Sequence, residues 1–158
     1  MEARAKLLGH PIHQMLIPFP LGLLSTAALF DLLHVFTDGT GWASASFYLI
    51  GAGVVFGVIA AIFGVIDWLA IPKGTRARRV GLLHGAGNDV LIVMFALSFW
   101  LRTGATDDPT TLAILLSLGG AALGMLTGWL GGELVNRLGV GVSDGAHLDA
   151  PSSLRGAP

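Results

Sequence analysis

Residues 43–71 read ASASFYLIGAGVVFGVIAAIFGVIDWLAI, an apolar run interrupted by one charge, that of Asp67. The run exceeds the ~20 residues an α-helix needs to cross a bilayer's hydrocarbon core. Within it Gly53, Gly57, Ala60, Gly64 and Asp67 follow one another at steps of three and four, which keeps them on one helical face. Small residues at such steps let helix backbones approach closely in lipid, where no hydrophobic drive draws helices together. The run therefore predicts a membrane-spanning helix with a packed face, and Asp67 on that face points inward.

Three more runs of the same kind extend from Met15 to Phe36, Val80 to Leu101 and Thr111 to Leu138. Together they predict an all-α fold, a four-helix transmembrane bundle over residues 1–138. Residues 139–158, rich in Gly, Ser, Ala and Pro, are expected to form a flexible cytoplasmic tail. In the fourth run Gly120, Gly124, Gly128 and Gly132 recur at strict four-residue spacing, a second candidate packing stripe. The first run is too long for the apolar region of a cleavable signal peptide, about 7–15 residues, so it reads as a retained helix.

Composition agrees with a lipid environment. Only 12% of the residues are charged and 53% are hydrophobic, whereas soluble domains carry about 25% charged residues. A net charge of −1 leaves no basic surface suited to nucleic acid. The absence of cysteine removes disulfides, thiol catalysis and iron–sulfur ligation. No nucleophile–base pair, phosphate loop or hydrolase signature is present, so a non-enzymatic role is expected. Taking the ends and loops in alternation, Arg4, Lys6, Lys73, Arg76, Arg78, Arg79, Arg137 and Arg155 fall on one side. Arg102 stands alone on the other, beside Asp38, Asp107 and Asp108. Basic loops remain in the cytoplasm, so both termini are expected there.

The spans carry more ionisable residues than lipid-facing helices tolerate, and such residues normally face the bundle interior. At 1.5 Å per residue, Asp67 lies about 7 Å in from Pro72, His84 about 7 Å beyond Arg79 and Glu133 about 6 Å before Arg137. His10 and His13 stand just ahead of the first span at the same end, and Asn88 lies one turn beyond His84 on its face. These residues converge on one cytoplasmic-side polar layer. Histidine with carboxylate is the usual ligand set of a divalent transition metal, which makes His10, His13, Asp67, His84 and Glu133 candidate metal ligands. Two histidines on different helices are also the common axial pair of a b-type haem, for which His13 and His84 have suitable depth. Ordinary ion pairing explains the same residues without a cofactor: Asp67 and Glu133 with the nearby arginines, His84 with a neighbouring carboxylate. Toward the outer side Asp31 and His34 share a face and are expected to bond each other or line a vestibule. Asp89 lies near mid-membrane, off the His84 face, and either pairs within the bundle or is protonated. Trp42, Trp68, Trp100 and Trp129 mostly fall near span ends and read as interface anchors.

Three motifs resemble one family. They are Gly9-His10-Pro11-Ile12-His13 followed by Ile17-Pro18-Phe19-Pro20-Leu21-Gly22, Arg78-Arg79-Val80-Gly81-Leu82-Leu83-His84, and Gly128-Trp129-Leu130-Gly131-Gly132-Glu133-Leu134-Val135 with Gly139-Val140-Gly141-Val142 behind it. The chain resembles the bacterial membrane proteins grouped as DUF2231 over nearly its whole length, with Gln14 where many relatives carry proline. The resemblance implies a multi-pass protein of the bacterial inner membrane. Some relatives are fused to Rieske-type iron–sulfur domains, which implies membrane redox work by association alone. Two functions remain open. One is binding of haem b or a metal ion for electron transfer with a redox partner. The other is a non-catalytic subunit packing, as a homo-oligomer or on a larger membrane complex, through its glycine faces.

Overall fold

The structure is a computed structural model that describes residues 1–37 and 39–155. Asp38 and the Arg155 side chain, both counted in the charge census above, lie outside the described residues, as do residues 156–158. A two-stranded hairpin opens the chain, β1 (Lys6–Leu7) against β2 (His10–Pro11), turning through Leu8 and Gly9 at positive φ. Five helices follow: α1 (Ile12–Leu16), α2 (Pro18–Thr37), α3 (Thr40–Ala70), α4 (Arg76–Leu101) and α5 (Thr111–Gly132). A single π-helical turn, Glu133–Arg137, extends α5. With α1 running into α2, four helical segments are long and apolar enough to cross a membrane. A helix satisfies its own backbone polar groups, which a span in hydrocarbon must do.

The helix ends follow local chemistry. Pro18 and Pro20 occupy the first turn of α2, where a missing N–H costs nothing. Thr75 caps α4 by accepting from Arg78 N at 3.2 Å, and Thr110 caps α5 by accepting from Ala113 N at 3.3 Å. Pro72 and Gly74, the latter at φ +82°, turn the chain between α3 and α4.

The bundle is built from two tight hairpins, α2 on α3 and α4 on α5, joined by lighter contacts of α3 with α4 and α2 with α5. The hairpins repeat each other. Asp31 and Arg102, 71 positions apart, are both fully buried. The same offset relates Leu24 to Phe95 and Ala27 to Ser98, all buried on the inward faces of α2 and α4. An offset of 67 (113 minus 46) relates Ser46 to Ala113, Ile50 to Ser117 and Gly53 to Gly120 on α3 and α5, again all buried. The hydrogen bonds within the hairpins also correspond. Ser46 Oγ donates to Ala27 O at 3.1 Å, and Ser98 Oγ donates to Ala113 O at 2.6 Å, joining equivalent positions with donor and acceptor exchanged. The two halves are thus related by an approximate two-fold axis along the bundle.

Leu24, Ala27, Ile50, Leu91 and Phe95 form the apolar core around that axis. Large apolar side chains such as Leu21, Phe36, Tyr48, Leu83 and Met125 face outward, as lipid-facing positions do. The glycine stripes divide. On α3, a Cβ at Gly53 would meet Leu24 Cδ2 at 2.5 Å, and one at Gly64 would meet His13 Cε1 at 2.9 Å, so this stripe packs along its length. Of the four-residue stripe on α5 only Gly120 packs tightly, with a Cβ there 2.8 Å from Phe95 Cε2, while Gly128 has open space around it. Strict four-residue steps drift about 40° each around a 3.6-residue helix and leave the interface. The expectation that Gly128 packs within the chain is therefore corrected.

Candidate functional site

The alternating four-and-three spacing of Pro20, Leu24, Ala27 and Asp31 extends back to His13, and that of Leu91, Phe95, Ser98 and Arg102 extends back to His84. His13 and His84 are therefore equivalent positions on the axis-facing stripes of the first and third spans. Their settings match. His13 Nδ1 lies 2.7 Å from Ala60 O on α3, and His84 Nδ1 lies 2.8 Å from Thr127 O on α5. Ala60 and Thr127 stand in the same 67-residue relation as the other α3–α5 pairs. One turn further along each helix a glycine accommodates the ring: Gly64 beside His13, and Gly131, where a Cβ would stand 3.1 Å from His84 Cε1. A carbonyl only accepts, so each Nδ1 carries a proton, and in the neutral ring the lone pair is on Nε2.

Asn88 and Thr127 brace the second ring. Thr127 Oγ1 donates to Asn88 Oδ1 at 3.0 Å, and Asn88 Nδ2 donates to the His84 carbonyl at 2.8 Å while standing 3.2 Å from His84 Nε2.

The other residues expected in this layer have separate partners. Asp67 Oδ1 accepts from the backbone N–H groups of Arg4 and Ala5 at 2.7 and 2.9 Å, fastening the N-terminal segment beneath α3. Glu133 pairs with Arg76 Nη2 at 2.6 Å. His10 Nε2 contacts Ser153 Oγ at 3.2 Å, away from both rings. Among the described residues no group of three or more His, Asp or Glu is placed to hold a metal ion. At the same end the exposed Glu2 bonds Lys6, which holds its carboxyl below the ordinary value. Trp68 is anchored there too, donating Nε1–H to Arg78 O at 3.0 Å beneath the Arg78 guanidinium.

A second polar cluster lies at the far end, and sequence reasoning missed it. Arg102, expected as a loop charge, is fully buried. Its Nη1 and Nη2 donate to Asp31 Oδ1 and Oδ2, each at 2.7 Å, a bidentate pair across the axis. Ser98, Ser46 and the Ala113 carbonyl accept its remaining protons, and Ser117 donates to Asp31. Asp31 and His34 do not bond each other; His34 Nδ1 instead lies 3.2 Å from Gly39 O. A buried carboxylate would be costly alone; this one is met by Arg102 and Ser117, and Ser98, Ser46 and the Ala113 carbonyl satisfy the rest of the guanidinium.

Compared with curated proteins and with solved structures, the chain matches none. The sequence model of the family described as "Predicted membrane protein (DUF2231)" matches residues 9–144, most of the chain, and the chain belongs to that family.

Proposed function

We propose that this chain is a membrane haem protein in which His13 and His84 would hold a b-type haem, serving electron transfer with a redox partner. The carrying observation is their equivalent setting: two imidazoles on diagonal helices, each with Nδ1 on a neighbouring carbonyl and a glycine against the ring. The donor set suits haem, which needs two axial ligands and takes its other four from the macrocycle. A single metal ion held by His10, His13, Asp67, His84 and Glu133 is less well supported, since three of the five are engaged elsewhere.

When bound, haem supplies reversible one-electron chemistry. The chain supplies the rest. The Ala60 and Thr127 carbonyls fix the tautomer of each ring and make its Nε2 more basic, as outer partners of ligating histidines do. Gly64 and Gly131 let each ring sit close to the helix it contacts. The apolar core beyond the layer excludes water. Asn88 Nδ2, which donates to the His84 carbonyl, also stands 3.2 Å from His84 Nε2, and that contact would have to give way for the nitrogen to ligate. In this reading the basic end of the bundle faces the bacterial cytoplasm, with both termini.

A second reading, a non-catalytic subunit, is favoured by one observation: among the described residues no buried side-chain polar atom lacks a hydrogen-bond partner. The absorption spectrum of protein purified from haem-supplemented cells separates the two. A Soret band that His13→Ala and His84→Ala each abolish supports haem ligation. Stoichiometrically empty protein that also fails to bind added haem supports the subunit.

A further inference from the structure

Asp89 is the one ionisable side chain of the membrane-spanning helices that is exposed near their middle. It lies about 20 Å along α4 from Arg76 and about 18 Å from Leu101, and it is exposed. Among the described residues no ion pair meets it. It opens into a groove of about 560 Å³ between α3 and α4, otherwise lined by apolar side chains including Val58, Ile62, Val65, Ile92 and Val93. The Asp side chain is too short to reach either headgroup layer from this depth. Lipid tails offer a carboxylate neither a donor nor a counter-charge, so something else must meet it.

We propose that this groove docks a transmembrane helix of another protein, one that brings a lysine or arginine to mid-membrane depth opposite Asp89. Charge complementarity identifies the occupant. A second copy of this chain would not serve, because its described cations lie elsewhere. Arg102 is enclosed by Asp31, and Arg4, Lys6, Lys73, Arg76, Arg78, Arg79 and Arg137 sit at the histidine end of the bundle. Two copies meeting through this groove would face carboxylate with carboxylate. On α3 the groove wall repeats Val58, Ala61 or Ile62, and Val65 at helical spacing, a ridge on which a single helix can pack. The proposal is independent of haem ligation, since Asp89 lies off the His84 face.

The test uses full-length protein in phosphatidylcholine vesicles with a fluorescent leucine-rich transmembrane peptide carrying one central lysine. Energy transfer between labelled protein and peptide reads association, and an otherwise identical peptide with leucine at the centre is the control. The lysine peptide should bind about tenfold more tightly than the leucine peptide. That preference should vanish with Asp89→Asn, an exposed and nearly isosteric change whose fold is checked by thermal denaturation. Equal binding of the two peptides to the wild type, or a lysine preference that survives Asp89→Asn, would overturn the proposal. So would a wild-type dimer that Asp89→Asn strengthens, since the face would then belong to a second copy. Labelling of Asp89 by a hydrophobic carbodiimide, undiminished by saturating lysine peptide, would also overturn it, because the carboxyl would then be holding a proton.

Discussion

Asp31 and Arg102 are equivalent residues of the two hairpins, and they meet each other across the axis that relates them through two parallel N–H···O bonds of 2.7 Å. A position on a two-fold axis brings equivalent residues together. Here one has become the acid and the other the base, so a site that would repel itself if symmetric becomes a bidentate pair. The pair ties α2 to α4 at one end of the bundle, and the histidines face the same axis at the other.

Breaking this pair from one side leaves a buried charge uncompensated. Asp31→Asn and Arg102→Gln should each destabilise the protein by about 3–5 kcal/mol. Exchanging the two, Asp31→Arg with Arg102→Asp, should recover more than half of that loss, because the positions are equivalent. Unfolding in mild detergent measures both effects, and a double variant no better than the singles would contradict the equivalence.

The glycine positions give a graded series. Gly53→Leu and Gly120→Leu drive a side chain into Leu24 or Phe95 and should cost about 1–3 kcal/mol each. Gly128→Leu projects into open space and should leave thermal stability unchanged. Melting temperatures of the three variants check the order.

The Arg76–Glu133 pair is half-exposed on its arginine side, with side-chain exposures of 54% and 18%. Arg76→Gln should therefore cost no more than about 1 kcal/mol, and the loss should shrink as salt rises. A loss as large as that at Asp31 would show the layer to be a tightly coupled network instead.

Much of this was legible in the chain. The four spans follow from apolar runs, and Asp67, His84 and Glu133 do lie at one end of the bundle. The partners were less accessible. Asp67 bonds backbone N–H groups of Arg4 and Ala5, and such groups leave no mark in sequence. Arg102 reads as a loop charge because it follows the last apolar residue of its run, yet its long side chain folds back into the core. The signal for the pair was present as a 71-residue offset linking Leu24 to Phe95 and Asp31 to Arg102. It is faint, because the paired residues share burial rather than chemical type.

Gly64→Ala and Gly131→Ala test the ring positions without touching a ligand. Each methyl would stand within about 3 Å of an imidazole carbon and push the ring off its carbonyl. Both should weaken haem binding while the helical content is kept, as circular dichroism beside haem titration would show. A full-strength complex in both would mean that the rings do not ligate from the positions seen here.

The most direct measurement is chemical rescue of the ligand variants. Wild-type protein loaded with haem should give the low-spin spectrum of six-coordinate iron with two imidazoles. His13→Ala and His84→Ala should each lose that spectrum, and millimolar free imidazole should restore it by filling the vacated side. A wild type that binds no haem, or two alanine variants that keep the low-spin spectrum without added imidazole, would contradict ligation by this pair.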